Sequence, residues 1–309
     1  FSFQSLYLGL SPYESPAIYS LLPYTEVAGG LFFPMGGIHA IPRALARLAG
    51  ELGAEFRYGA EVVAVERKDG RATGVRLDDG SRVEADIVLV NADLPYAYET
   101  LLGEPHRRAQ RMDYSCSAFL MYLGVRGSYP QLLHHTLVVP RDLRTVCDDI
   151  FQRHRIPDDP AFYICNPNKT DPSLAPAGHE NLFVLVPVPS QDPARPIDWE
   201  VEGDRLEARM FERLERFGLT DLRQRLVVRR RFTPADFTDR FGATRGEAFG
   251  LAHGMDQVGW FRPHNRHAEL DNLYFVGQST HPGCGIPMVT ISARLVAERI
   301  GAEHPVEAP

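Results

Sequence analysis

Near its C-terminal end the chain reads LYFVGQSTHPGCGIPMVTISARLVAERI, from Leu273 to Ile300. An apolar strand, Leu273–Val276, ends at Gly277; Gly283 and Gly285 then flank Cys284 just ahead of a helix expected from Ile286 to about Ile300. Glycines at such a junction let the backbone approach a ligand closely. The first turn of a helix carries N–H groups without helical partners, and the helix dipole adds partial positive charge there. The junction therefore suits a ligand with negative charge. Pro287 is tolerated in the first turn because the N–H it lacks would have had no partner. Spacing alone is equally compatible with a plain crossover closed by a Gly-rich turn. Cys284 has two readings: a thiol activated by the helix N-terminus, or a small residue filling tight space. The second is the expectation.

Other reactive constellations are missing from the sequence. No G-x-G-x-x-G follows a strand: Gly283-Cys284-Gly285 lacks the third glycine, and Gly36-Gly37 lacks the spacing. Either the protein binds no dinucleotide, or its pyrophosphate cradle lies before Phe1. The histidines are scattered without an H-E-x-x-H, and His134 and His135 are expected on opposite faces of a strand, so no metal site is expected. No G-x-S-x-G elbow occurs. Asp93 and Asp236 both fall at expected domain crossings and could line a site, although capping or turn roles are expected for each.

The rest of the composition narrows the class. Of 309 residues, 44% are hydrophobic and 24% charged, an ordinary globular balance. A net charge of −7 argues against a broad nucleic-acid surface. The dense basic run Arg229-Arg230-Arg231 is read as a solvated strand end. The four cysteines form no C-x-x-C pair, which fits neither a zinc site nor a disulfide framework and suits a reducing cytoplasm. No apolar run reaches the roughly 18 residues needed to span a bilayer. The chain opens on Phe1 without a signal-peptide layout, which reads as an internal cut with a segment missing before it.

Four segments must position the C-terminal junction. Residues 1–30 are rich in aromatic residues, Pro and Ser and show no clean period. Residues 31–93 are well ordered as a pattern. A helix is expected over Ile38–Leu52, with Ile41, Leu45, Leu48 and Leu52 on one stripe. Strands follow at Glu61–Glu66, Ala72–Leu77 and Arg82–Val90, with tight turns at Asp69-Gly70 and Asp79-Gly80. Residues 94–235 read as an antiparallel-sheet domain, with strands Ala118–Val125, His135–Val139, Ala161–Cys165, Leu182–Val188 and Leu226–Arg231 and one charged amphipathic helix, Trp199–Phe217. Residues 236–309 return to the style of 31–93.

Four stretches carry a resemblance to the phytoene desaturase family of FAD-dependent carotenoid oxidoreductases. They are LYLGLSPYESPAIYSLLPYTEVAGGLFFPMGGIHAIPRAL (Leu6–Leu45), the meander Ala60–Asp93 ending DIVLVNAD, CNPNKTDPSLAPAGHENLFVLVPVP (Cys165–Pro189), and the run from RFTPADF (Arg231–Phe237) through FRPHNRH to VGQSTHPGCGIPMVTISARLVAERI. They lie in family order along nearly the whole chain. The resemblance implies α/β and α+β architecture: a Rossmann-like, amine-oxidase-like FAD domain lacking its N-terminal βαβ unit, with an inserted antiparallel-sheet substrate domain. It implies a substrate or lid region for 1–30 and parts of the cofactor domain for 31–93 and 236–309. It implies FAD contacts from the backbone of Val62 and from Gly277, Gly285, Ile286, Pro287 and Met288. It further implies desaturation of a C40 polyene such as phytoene, and a cytoplasmic protein attached peripherally to membrane without spanning it. No nucleic-acid partner is implied, and homo-oligomerisation is left open. A flavin acceptor accounts for the chemistry because no side chain can take up the electrons. No catalytic dyad is identified. A related isomerase, a later-step desaturase and a terminal oxidase stay open as alternatives, as does a truncated, non-catalytic binder of apolar ligands. Flavin amine oxidases resemble one another in aromatic residues around the flavin face. Gln278–Ile291 holds no aromatic ring except His281, which argues against amine chemistry. Without the missing βαβ unit, residues 1–309 alone are expected to hold FAD poorly.

Overall fold

The computed structural model describes residues 3–305. In chain order the strands are β1 (Val62–Lys68), β2 (Arg71–Leu77), β3 (Arg82–Glu84), β4 (Val88–Val90), β5 (Ser117–Arg126), β6 (His135–Val138), β7 (Phe162–Cys165), β8 (His179–Val188), β9 (Leu226–Phe232) and β10 (Leu273–Phe275). The long helices are α1 (Ala40–Glu51), α2 (Trp199–Phe217) and α3 (Ile286–Glu303). These residues form two compact units. One gathers 3–16, 57–115 and 237–305; the other gathers 17–56 and 116–236.

In the first unit β1, β2 and β3 form an antiparallel meander, while β4 and β10 pair in parallel. The apolar run expected as one strand over Arg82–Val90 is thus two strands in two sheets. Chain direction, not side-chain type, separates them: β3 answers β2, and β4 must lie parallel to β10. Asn272 joins the two sheets. Its Oδ1 accepts from the Ala72 N–H at 2.9 Å, and its Nδ2 donates to the carbonyls of Ala72 and Asp86, both at 2.7 Å. Val65, Val88, Val90, Leu273 and Phe275 form the core beneath, with Leu94, Ala97 and Leu101 packed on it. That packing draws 94–115 into this unit, away from the antiparallel sheet with which it was expected. α3 closes the far side, with Val296 against Tyr274 and Val276.

The second unit is a five-stranded antiparallel sheet in the order β6-β7-β8-β5-β9. Its strands and α2 fall within a few residues of the expected positions. α2 starts where Asp198 accepts from the Glu200 and Val201 N–H groups and stops at Gly218, which adopts φ 116°. Leu206, Met210, Phe211 and Leu214 of α2 pack on Phe119, Met121 and Leu123 of β5. The basic run on β9 is answered by the acidic face of α2: Arg229 grips Glu207 through two hydrogen bonds of 2.7 Å, and Arg231 pairs with Asp204. Asp236 has the expected turn role, accepting from the Thr233 N–H at 2.8 Å.

Residues 31–37 belong with this unit because the Gly36 N–H donates to Asp171 at 2.7 Å and Phe33 packs edge-on against His134. The chain therefore divides by packing at other points than the expected 31–93 and 94–235. The helix expected over Ile38–Leu52 forms as α1, but none of its residues is buried, and Leu45 and Leu48 are more than half exposed. No helix among the described residues is long and apolar enough to cross a membrane.

Candidate functional site

The loop between β10 and α3 is held from beneath by side chains of the segment 253–265. Arg262 is fully buried. Its guanidinium donates to the carbonyls of Thr280 (3.1 Å), Ala252 (3.2 Å), Leu251 (3.2 Å) and Gln278 (2.6 Å). Asn265 donates to the carbonyls of Phe275 and His281 and to the hydroxyls of Thr280 and Ser292, all within 3.2 Å. Both residues lie in the FRPHNRH stretch that carries the resemblance, yet neither was expected at the site. Only their role as donors to backbone carbonyls, invisible in a sequence, gives them their importance. The buried His253 accepts from the Cys284 N–H at 3.4 Å. Burial, helped by the nearby Arg262 charge, lowers His253 to about 3, so its ring is neutral.

The three glycines of the loop divide by what surrounds them. A Cβ on Gly277 would lie 2.7 Å from Asn91 Oδ1, and one on Gly283 would lie 2.3 Å from His253 Nε2. At these two the close approach is to the protein itself. At Gly285, φ is +96° and a Cβ would meet nothing nearer than Pro287 Cδ at 4.0 Å. Gly285, Ile286 and Pro287 are exposed at the N-terminus of α3, and Met288 is half-buried. The structure thus brings Gly285, Ile286, Pro287 and Met288 together on one accessible helix start, with Gly277 below it at the end of β10. Val62 is half-buried at the start of β1, where the ladder to β2 slips between Val62 and Ala64. Such a slip leaves a backbone group out of the ladder. Cys284 follows the space-filling reading: its thiol donates to the Tyr7 carbonyl at 3.3 Å, and burial raises its pKa.

Beside Gly277 is a cavity of about 510 Å³, lined by Asn91, Asp93, Phe241, Gln278, Val289 and Thr290 among others. A larger cavity, about 690 Å³, lies in the charged meander and contains none of the residues 277–288. Asp93 is the polar centre of the smaller one. Its carboxylate accepts from Ser279 Oγ and, at 2.5 Å, from Thr244 Oγ1, joining positions 93, 244 and 279. Glu247 is only 1% exposed and neither of its carboxyl oxygens has a hydrogen-bond partner. Burial, then the neighbouring Asp93 charge, raises Glu247 well above the ordinary 4.5. Burial raises Asp93 as well, against the opposing hydrogen bonds from Ser279 and Thr244.

These two acids make stability pH-dependent. The folded protein holds protons that the unfolded chain would release, so the stabilisation is complete below the ordinary carboxyl range and is lost as pH rises toward the raised folded values. As pH rises above the ordinary carboxyl range, stability should fall by up to about 1.4 kcal/mol per pH unit for each group still protonated in the fold. Glu247→Gln should flatten most of that fall in urea-unfolding midpoints. Parallel pH profiles for the two proteins would show that Glu247 does not carry it.

The sequence profile of the flavin-containing amine oxidoreductases matches residues 1–301, which take in the loop and most of α3. The chain belongs to this family. Among curated relatives it is 50% identical to a zeta-carotene-forming phytoene desaturase from Myxococcus xanthus over 303 residues, covering 97% of this chain and 58% of that protein. It is 41% identical to a 4,4'-diapolycopene oxygenase from a Methylomonas species over 300 residues, covering 96% of this chain and 60% of that protein. The chain therefore spans about three-fifths of the length of these relatives. An oxidoreductase from Methanosarcina mazei shares the fold, with a TM-score of 0.65 at 18% identity over 96% of this chain and 63% of that one. The family's mixed architecture, with its antiparallel sheet, is the one described above.

Proposed function

We propose that the protein containing this chain uses FAD to desaturate a long apolar carotenoid such as phytoene. The observation that carries this is the 50% identity to a phytoene desaturase over 97% of the chain. The start of α3 fits the cofactor. Gly285 leaves space where a side chain would stand, and Ile286 and Met288 carry N–H groups that no helical carbonyl can receive. Those groups and the helix dipole would stabilise negative charge on the flavin ring. Gly277, Pro287 and the backbone of Val62 complete the proposed contacts. On this view the unit that holds 57–115 and 237–305 serves the cofactor, and the antiparallel sheet within 116–236 serves the substrate. FAD, when bound, supplies the two-electron acceptor that no side chain offers.

The antiparallel sheet is suited to the polyene. The face turned away from α2 carries Leu120, Tyr122, Leu137, Tyr163, Phe183 and Leu185, with Tyr122 and Phe183 rings 5.3 Å apart. Such a face holds an apolar chain and keeps water from it. No positioned base is required, because positive charge developing on the substrate is spread over the conjugated chain. The exposed apolar side chains Ile18, Leu21, Tyr24, Val27, Leu31 and Phe32 are the surface proposed to touch the membrane that dissolves the substrate. A cytoplasmic location accompanies this proposal.

The test is anaerobic mixing of the flavin-loaded, full-length protein with phytoene in liposomes. Flavin absorbance should bleach, and extracted pigment should carry new double bonds. Oxygenated pigment appearing only in air would favour the terminal-oxidase alternative, which the oxygenase relative supports. A flavin that stays oxidised with phytoene and with more desaturated carotenes would overturn the desaturase proposal.

A further inference from the structure

We infer that His134, His135 and Cys165 bind one zinc-class ion at the edge of the antiparallel sheet. One donor atom from each lies within 4.8 Å of the other two. The sequence argued against this, because neighbours in a strand point to opposite faces. However, β6 begins at His135, and His134 lies before it, free of the strand's alternation. The two imidazole rings consequently lie on the same side, with centroids 4.3 Å apart. Cys165 is the cross-strand partner of His135, so its thiol emerges on the same face.

The hydrogen bonds around the rings favour metal ligation. His134 Nδ1 is 2.5 Å from Thr170 Oγ1, and His135 Nδ1 is 2.6 Å from the Tyr163 hydroxyl. Metal-binding histidines characteristically donate the N–H of one ring nitrogen to an oxygen, which fixes the tautomer and leaves the lone pair on the other nitrogen. Here both rings can do so through Nδ1, leaving Nε2 as ligand. His134 Nε2 is buried and has no hydrogen-bond partner. Two imidazoles and a thiolate suit zinc or a similarly soft ion and exclude calcium and magnesium, which take oxygen. Tetrahedral zinc wants its ligands roughly 3.3–3.8 Å apart. The three side chains must therefore draw in by about 1 Å. His135 is exposed and Cys165 only half-buried, so both have room to rotate. Binding releases the Cys165 thiol proton to solvent as the sulfur–metal bond forms, and water completes the coordination. The ion would clip the short edge strand β6 to β7 at the His135–Cys165 end. His135 and Cys165 emerge on the same sheet face as Leu137 and Tyr163, and the ligand set is argued from these side chains alone, not from the proposed redox function.

The test uses untagged full-length protein stripped with a chelator, then titrated with Zn²⁺ in competition with a chromophoric chelator, and separately with Co²⁺. One equivalent should bind, and the cobalt form should display thiolate charge-transfer absorption with intense tetrahedral bands. Cys165→Ser and His134→Ala should each weaken binding by more than about a hundredfold, beyond the 10–100-fold expected for an outer-shell change such as Tyr163→Phe. Far-UV circular dichroism checks that each variant is folded, and His179→Ala, a change elsewhere on the surface, should bind like the parent. Absence of saturable binding, a cobalt spectrum without thiolate character, or undiminished affinity in folded Cys165→Ser would overturn the site.

Discussion

Arg262→Met should leave the protein unfolded, or so destabilised that it is recovered only as aggregate. A buried arginine is often a weak contributor, because an apolar residue of similar size can replace it together with its partners at little loss. That exchange is unavailable here. Arg262 donates to four backbone carbonyls, of Thr280, Ala252, Leu251 and Gln278, and no substitution removes them. Each buried acceptor left without a donor costs about 1–3 kcal/mol. Gln257 also donates to the Ala252 carbonyl, so three acceptors lose their donor; even if one of them found water, the remaining cost of about 2–6 kcal/mol reaches into the roughly 5–15 kcal/mol by which a typical domain is stable. Arg262→Lys keeps the charge but not the planar fork, so it should reach fewer of these carbonyls and fall between parent and Met variant. Urea-unfolding midpoints give the comparison. A Met variant within about 1 kcal/mol of the parent would show that the loop is held by Asn265 and the packing alone.

The sequence made the local elements legible and left the long-range meetings hidden. α2 was readable to its last residue because its signals are local: Asp198 caps one end, Gly218 takes a left-handed turn at the other, and apolar residues recur at helical spacing between them. β5 and β8 were readable as apolar runs bounded by turns. The apolar run ending at Val90 was misread as one strand because composition does not tell which sheet a strand joins. The stripe on α1 predicted a helix correctly but could not say what covers it, and its leucines are exposed. Asp93 was expected to cap or turn. Its partners Thr244 and Ser279 are 151 and 186 residues away, beyond any periodicity. The pairing of His134 with His135 depended on where a strand begins, the least certain feature of any sequence-based boundary.

Gly285→Val should give a folded full-length protein that has lost its flavin. The glycine stands at φ +96° and ψ 147°, a conformation that a β-branched residue adopts only under strain of about 1–3 kcal/mol. The surroundings add no clash to that strain, because the new Cβ meets no atom closer than 4.0 Å. What it fills is the space in front of the α3 N-terminus, where the proposed flavin edge must come within hydrogen-bond reach of the Ile286 and Met288 N–H groups. Gly283→Val is the informative contrast. There a Cβ falls 2.3 Å from the ring of buried His253, so that variant should lose its fold before its ligand. The two glycines lie two positions apart, yet one substitution should act on binding and the other on stability. Flavin retained per folded protein, measured after heat release, should drop at least about tenfold in the Gly285 variant, equivalent to about 1.4 kcal/mol. Its melting temperature should shift by only a few degrees, roughly what about 1 kcal/mol produces. If Gly285→Val instead purifies with stoichiometric flavin, the start of α3 does not face the cofactor, and the open space before it must serve something else.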